Sequence, residues 1–590
     1  MRETERIVRK AYYRVLPVQI ISTLVLAVNA FIDNVITGNM LGDEAVAAIG
    51  FFGPVAAIIG VSYVVVLGIQ ILIGNYIGQG SKEQIVSLFS TGIIFLAGFC
   101  SLLTVLCLVF HAPLSLILGA RGNAAVLLGR YIIGYSFGIP GEVLAGTLMC
   151  FLPLNNDARR SYLGLGVMIG TNILLDILFT AFLKLGIFGI GLASSISSLS
   201  SFAVMFPGVL NRQKAIYFRP GKTCFSTLPE AVRLGLPSLM FTLGCTAKSY
   251  IMNMTLMNSV GTAAVAAMNV QGNLCAFLGA FPQGIGNAYL SLAGIYYSEE
   301  DRTSLTSLMR IAMRSGILLS AGVMTALMAS SHVLPGLFFA NGSEAWLLTS
   351  RMLLLFPCFL VLNTVLNLFL KAYQCQDRMT LVNVMSVAES LIMAILAVGS
   401  APLLGADAVW LSFPFGEIIC LAIIAISVWL FSGRITFALT DWMKLDRTFG
   451  AGAVETFECS VHSMADVVHL SEKIIHFCSG HQIDRRTSYI VGLAIEEMAG
   501  NVIQHGFIPG RRHSVDIRII KKDDLTIRIR DDCPAFDLEH QLSQFQAGDD
   551  VTKNVGIRMI SAMADLNYQS TAGINTLLIR IRHNPDNVEI

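Results

Sequence analysis

Apolar residues run in long unbroken stretches over the first three quarters of this chain and in short alternations over the last quarter. Stretches of roughly 20 residues or more, each able to cross a bilayer core, fall at 15–38, 49–74, 88–110, 126–153, 162–183 and 187–209 in a first half. A second half repeats the pattern at 234–257, 265–292, 311–332, 350–371, 380–399 and 407–431. After Trp442 a strand is predicted at 455–461, a helix near 463–479, and a long helix capped by Asp484 and reaching about Gln504. Strands at 514–520 and 525–529, a helix from about Asn554 to Asp565, and strands at 567–570 and 576–581 complete an α/β domain. The expected architecture is a polytopic α-helical membrane protein of 12 spans with a C-terminal α/β domain. It divides into residues 1–220, 221–440, a linker at 441–453, and 454–590.

Composition agrees with lipid as the main solvent. The 590 residues are 54% hydrophobic and only 13% charged, whereas soluble domains carry roughly a quarter charged residues. The 12 cysteines are scattered without CxxC spacing, and Cys459, Cys478 and Cys533 have no metal-ligand company in the sequence. All read as buried thiols in a reducing context. The first apolar stretch is long, carries Asp33 and lacks a small-residue cleavage site, so a cleavable signal peptide is not expected. Basic residues concentrate in alternate loops: Arg6, Arg9 and Lys10 before the first span, Arg159 and Arg160 after the fourth, Arg212 and Lys214 after the sixth. The positive-inside rule then puts both termini in the cytoplasm, where ATP is available.

The two halves repeat each other. Leu16-Pro17 opens a span ending in Gly42-Asp-Glu-Ala-Val-Ala-Ala48, and Leu236-Pro237 opens one ending in Gly261-Thr-Ala-Ala-Val-Ala-Ala267. Gly74-Asn-Tyr76 then matches Gly294-Ile-Tyr296 at the same offset of about 220 residues. Two six-helix units in the same orientation are parallel repeats, a build that places substrate between the halves and alternates access by rocking one against the other. The prolines at 17 and 237 are expected to bend or start equivalent helices.

Carboxylates at bilayer depth are costly unless paired, protonated or facing water, which makes them functional candidates. Asp33 lies late in the first span, and Asn172 and Asp176 share a helix face at i, i+4 spacing. Two carboxyls sharing one site favour keeping a proton between them. Lys248, Glu389 and Glu417 fall in second-half spans, where a Lys–Glu pair facing the cavity would be charge-compensated; Glu142, after Pro140, is expected to tie down broken helix backbone.

The run from Leu16-Pro17 through Phe31-Ile-Asp33 to Gly42 and Ala48 resembles the first span of the multidrug and toxic compound extrusion (MATE) family. Asn172-Ile-Leu-Leu-Asp176 followed by Gly186-Ile-Phe-Gly189 and Ser194 is similar to the family as well, and the likeness covers roughly residues 10–440. It implies two six-helix lobes arranged as a V and antiport of organic cations or other amphiphiles against H⁺ or Na⁺. It also implies that Asp33, Asn172 and Asp176 form the coupling-ion site, with Ser194 where the family often has Thr.

Three tail motifs stand in order. Glu496-Glu497-Met-Ala-Gly-Asn501 places Glu497 and Asn501 on one helix face, a hard ligand for phosphate-bound Mg²⁺ beside a carboxylate that can polarise a hydroxyl. Asp531-Asp-Cys533-Pro follows a strand, where an Asp can accept from the adenine amino group. Asn554-Val-Gly556 puts a Gly at a helix start, where backbone N–H groups can approach phosphate. Together they resemble the GHKL (Bergerat-type) ATP-binding fold, most closely its anti-sigma-factor serine kinases. The resemblance implies Glu497 as base, Asn501 as Mg²⁺ ligand, Asp531 as adenine reader, Gly556 as phosphate contact, and Thr576 on the strand flanking adenine. Cys533 and Asn554 stand where the family usually has Gly.

The expected activity is ion-coupled efflux with an ATP-binding module of regulatory or serine-kinase type, in the cell's inner (cytoplasmic) membrane. The alternative is a membrane-anchored serine kinase that uses the transporter-like part as a sensor. Partners would be lipid, a cationic or amphiphilic small molecule, and an antagonist protein phosphorylated in trans; no nucleic acid is expected. No Walker A motif is present to support an ATP-powered pump.

Overall fold

The computed structural model describes residues 3–41, 45, 48–49, 51–118, 122–339, 341–434, 436–446, 449–450, 456–481, 483–510, 513–521, 525–535, 560–561 and 563–581. Among the described residues each predicted span falls mostly on helix. The first half comprises α1 (Glu3–Leu41), α2 (Gly53–Gly60), α3 (Ser62–Gly78), α4 (Lys82–Ile117), α5 (Asn123–Ser136), α6 (Ile139–Phe151), α7 (Ala158–Ile177) and α8 (Ile187–Met205). The second comprises α9 (Leu228–Ser259), α10 (Thr262–Leu278), α11 (Ala280–Ser298), α12 (Arg302–Ala329), α13 (Glu344–Leu355), α14 (Phe359–Cys375), α15 (Met379–Leu404) and α16 (Ala406–Ser432). Among the described residues, 8 helical segments are long and apolar enough to cross a membrane, or 9 if α5 and α6, bent by 50° at the Phe137–Gly138 break, form one span.

Leu430, Ile395 and Leu318 expose their side chains on the outside of this bundle, which suits lipid and not water. Pro17 and Pro237 both sit inside helices, at matching places in α1 and α9. Small residues let the halves close on each other at one end, where α1 packs on α11 and α12, and α3 on α9 and α11.

The tail is a five-stranded antiparallel sheet of order β1-β2-β3-β5-β4, with β1 Thr456–Val461, β2 Val515–Lys521, β3 Leu525–Asp531, β4 Asp565–Thr571 and β5 Ile574–Ile581. Among the described residues its helices are α17 (Met464–Gly480), opened by a Ser463–Asp466 capping box, and α18 (Arg485–Asn501), capped by Asp484. Period-2 alternation divides the sheet into two faces. Val515, Ile517, Ile527, Ile529 and Ile579 pack under the helices, while Arg518, Arg528 and Arg530 point the other way. Asp565, expected to end a helix, begins β4 instead, because its cross-strand partner is Arg580. Most of the helix predicted at 554–565 lies outside the described residues.

Candidate functional site

The structure assembles the first-half candidates from three helices. Ser194 Oγ of α8 donates to Asp33 Oδ2 of α1 at 3.0 Å, and Asn172 Nδ2 of α7 donates to Ser194 Oγ at 3.5 Å. Asp33, Asn172, Asp176 and Ser194 are all buried. The Asp33 carboxyl faces that of Asp176, yet among the described residues neither Asp176 oxygen meets a fixed donor, and Asp33 Oδ1 and Asn172 Oδ1 are likewise without one. Four inward-facing acceptor atoms without a donor are what a bound proton or a small cation would satisfy.

The second-half residues come together differently from the pairing expected. Asn363 Nδ2 of α14 donates to Glu417 Oε1 at 2.7 Å and to Glu389 Oε1 at 3.3 Å. Lys248 sits over the Phe413 ring at 5.0 Å and against the Met393 sulfur at 3.5 Å, without a close ion pair to either glutamate among the described residues. An amide, not an ammonium, bridges the two carboxyls. Sequence reasoning missed Asn363, since a lone Asn in an apolar run carries no signal by itself. Glu142 Oε2 accepts from Tyr135 OH at 2.8 Å, at the bend between α5 and α6.

Between the halves lies a cavity of about 430 Å³. The first half lines it with Gln19, Ser22, Tyr63 and Met149, the second with Asn287, Asn363, Lys371 and Glu389. Asp33 and Asp176 are not among its lining residues, so the buried carboxyl pair sits inside one half and not in the shared cavity.

In the tail, Glu497 and Asn501 share one face of α18 and are partly exposed. The turn that follows, Val502–Gly506, meets the second motif, because a methyl added at Gly506 would lie 3.1 Å from Cys533 Cβ. Asp531 Oδ1 accepts from Cys533 N at 2.8 Å and from Asn575 Nδ2 at 2.8 Å. Burial pushes the Asp531 carboxyl above its ordinary value, and these two donors only partly offset that. Thr576 does not join the group. It lies on the opposite face, lining a small gap with Ala11, Ile77 and Arg530, while its neighbour Asn575 holds Asp531. Gly556 lies outside the described residues.

The expectation that Cys533 lacks metal-ligand company is corrected, since His513, Asp532 and Cys533 offer ligand atoms within 4.8 Å of one another. The Asp532 carboxylate is already engaged, accepting from Lys10 Nζ at 2.9 Å and contacting His513 Nδ1 at 3.1 Å. Burial acts to raise Asp532, but Lys10 and His513 more than offset it and hold the carboxyl below its usual range.

Residues 19–178 and 237–398 match the MatE family, and residues 463–581 match the histidine kinase-like ATPase domain. The chain is 24% identical over 349 residues to the probable multidrug resistance protein YoeA of Bacillus subtilis, covering 57% of this chain and 74% of that one. It is 23% identical over 431 residues to the multidrug export protein MepA of Staphylococcus aureus, covering 72% and 94%. A crystal structure of a mutant of the Vibrio cholerae MATE transporter VcmN is 18% identical with a TM-score of 0.67, covering 74% of this chain and 100% of that one. A MATE crystallised in a straight conformation is 21% identical with a TM-score of 0.66, covering 70% and 94%.

Proposed function

The chain belongs to the MatE family, and from that premise we propose that it is an efflux antiporter driven by H⁺ or Na⁺, with both termini in the cytoplasm. Its C-terminal domain would bind ATP as a regulatory or serine-kinase-like module. The observation that carries the transport reading is the buried Asp33–Asp176 pair, whose three oxygens without a donor among the described residues are joined by that of Asn172. A mere membrane anchor has no use for two carboxyls at that depth. The pair lies apart from the inter-lobe cavity, which suits a coupling site that acts on substrate through movement of α1, α7 and α8 and not by direct contact. The relatives named for multidrug export point to small organic solutes, cationic or amphiphilic, as cargo for the cavity.

In the tail, the donor set fits Mg-ATP. Asn501 would supply a neutral oxygen to Mg²⁺, and Glu497, one turn before it, a carboxylate. Asp531, fixed by Asn575 and the Cys533 amide, would take the adenine amino group. Bound ATP would supply a transferable phosphoryl group; this chain's residues orient it.

The test is cation-dye efflux from everted vesicles under imposed H⁺ or Na⁺ gradients. Gradient-driven efflux is expected in the wild type and lost in Asp33→Asn. Absence of efflux under either gradient, with ATP still bound, would favour the anchored serine kinase.

A further inference from the structure

The arginine-bearing face of the tail sheet is not open to water. Arg528 Nη1 lies 3.1 Å from Glu299 Oε2 and also meets Asp301; Arg530 contacts Glu299 and stacks over the Tyr296 ring at 5.0 Å. Glu299 and Asp301 form the short loop between α11 and α12, so these contacts hold the second lobe. The β4–β5 hairpin holds the first. Ala572 and Gly573 at its tip both have positive φ, 53° and 78°, the backbone of a two-residue type I′ turn. Ala572 N donates to Leu154 O at 2.9 Å, and Asn156 Nδ2 to Ser570 Oγ at 2.7 Å. Arg580 Nη2 donates to Gln79 O at 2.7 Å. Gln79 and Glu299 occupy matching loops of the repeat, so one rigid sheet grips the same element of both lobes.

We propose that the nucleotide domain is a clamp that ties the two lobes together at the end where they are closed, and that its grip is set by its nucleotide site. The inference rests on the rocking-lobe transport reading. The chain already joins the domain to the end of α16 in the second lobe, so first-lobe contacts are not needed to keep it at the membrane. They do oppose separation of the lobes at this end, which alternating access requires. The nucleotide site lies at the crossing point. Arg530, Asp531 and Asp532 are consecutive: the first holds Glu299 of the second lobe, the third holds Lys10 of α1. Asp531 between them is fixed by Asn575, two residues from the hairpin tip. A ligand that shifts Asp531 therefore moves both grips.

The test uses the full chain in proteoliposomes, with paired cysteines and a short, reducible thiol cross-linker. Asn156→Cys with Ser570→Cys tethers the domain to the first lobe, and Glu299→Cys with Arg530→Cys tethers it to the second. Either tether alone should leave gradient-driven dye transport within about two-fold, whereas both together should lower it by about ten-fold or more until reduced, since a population shift of that size follows from holding one state. Equal rates for single and double tethers would overturn the clamp while leaving the transport reading intact. Loss of transport already in the untreated wild type would instead sink the transport reading. Mg-ATP should change the rate of Asn156–Ser570 cross-linking by about two-fold or more, because a ligand moves an equilibrium only by its differential affinity; an unchanged rate at saturating Mg-ATP overturns the nucleotide control. Asn156→Ala with Ser570→Ala is the mild second variant: efflux retained but insensitive to ATP supports the clamp, and an unchanged ATP response opposes it.

Discussion

Gly74 and Gly294 hold matching positions in the two halves and meet each other. A methyl added to either would sit 3.1 Å from the other's Cα. The repeat is thus visible as a self-contact at the closed end of the lobes. Two further approaches flank it: a methyl at Gly68 would lie 1.7 Å from the Ala231 carbonyl oxygen, and one at Gly235 1.7 Å from that of Val64. Backbone meets backbone there, and no side chain can yield.

Gly68→Ala or Gly235→Ala should therefore force α3 and α9 apart and favour the state open toward the tail. Cys150 lines the inter-lobe cavity, so its modification by a membrane-impermeant maleimide applied from the tail side reports the opening. We expect about a five-fold faster reaction, equivalent to about 1 kcal/mol of population shift. Gly74→Ala should do much less, since a few tenths of an ångström of give suffices there. Equal rates for all three variants and wild type would show that this contact does not close the cavity.

Among the described residues neither Asp33 nor Asp176 meets a basic side chain, and Ser194 is the hydroxyl that holds Asp33, so neutral amides should remove cation exchange without unfolding the bundle. Asp33→Asn and Asp176→Asn should each lower gradient-driven dye efflux by about ten-fold or more, about 1.4 kcal/mol of barrier per decade, while dye binding stays near wild type because neither residue lines the cavity. Ser194→Ala, which removes the donor to Asp33 at 3.0 Å, should weaken coupling less. A dye affinity that falls together with efflux would move these carboxyls from coupling to cargo recognition.

Nucleotide binding can be read separately with a fluorescent ATP analogue. Asp531→Ala and Asn501→Ala should each weaken Mg-ATP by about ten-fold, the size expected for hydrogen bonds to charged groups. Asn575→Ala should weaken it too, because Asn575 Nδ2 orients Asp531 at 2.8 Å; Thr576→Ala, on the opposite face, should not. A Thr576 variant that loses nucleotide would show that Thr576 serves the adenine pocket from its present face.

Most of the architecture was legible because lipid imposes a coarse rule: long apolar stretches, bent at prolines and repeated once, reappear as helices at the expected places. The clustering of the first-half candidates was legible for the same reason, since Asp33 and Asp176 break an apolar pattern. The face that Thr576 takes was not legible: the structure pairs it with Arg530 and puts Asn575 opposite Asp531, and the motif fixes the strand but not its register. The docking face was missed altogether. Its traces were present as Arg518, Arg528 and Arg530 alternating with Ile, and as Glu299-Glu300-Asp301 in a loop where basic residues were expected. Neither trace says by itself that the other is its partner, because that pairing spans more than 200 residues and two domains.

That docking rests on Asp301 more than on any other single charge. Burial alone would raise its carboxyl, but Arg528, Arg530 and Arg518 outweigh burial and hold it well below the usual carboxylate range. A depressed value means stability that is present above the ordinary carboxylate value near about 4 and is lost only as pH falls through the lower folded value. Docking should thus be constant across neutral and mildly acid conditions and resist salt, unlike exposed ion pairs. Asp301 also caps α12, accepting from Ser304 N at 2.9 Å, and Asn caps a helix as well as Asp does. Asp301→Asn therefore removes the charge while keeping the helix end. It leaves three buried guanidiniums short of one counter-ion, a loss of about 3–5 kcal/mol for buried pairs. The expected result is a folded transporter whose tail is cleaved rapidly by added protease in the linker, with the wild-type tail protected from pH 5 to 8. Equal protection of both proteins would show that the arginine face is held by packing and hydrogen bonds and not by Asp301.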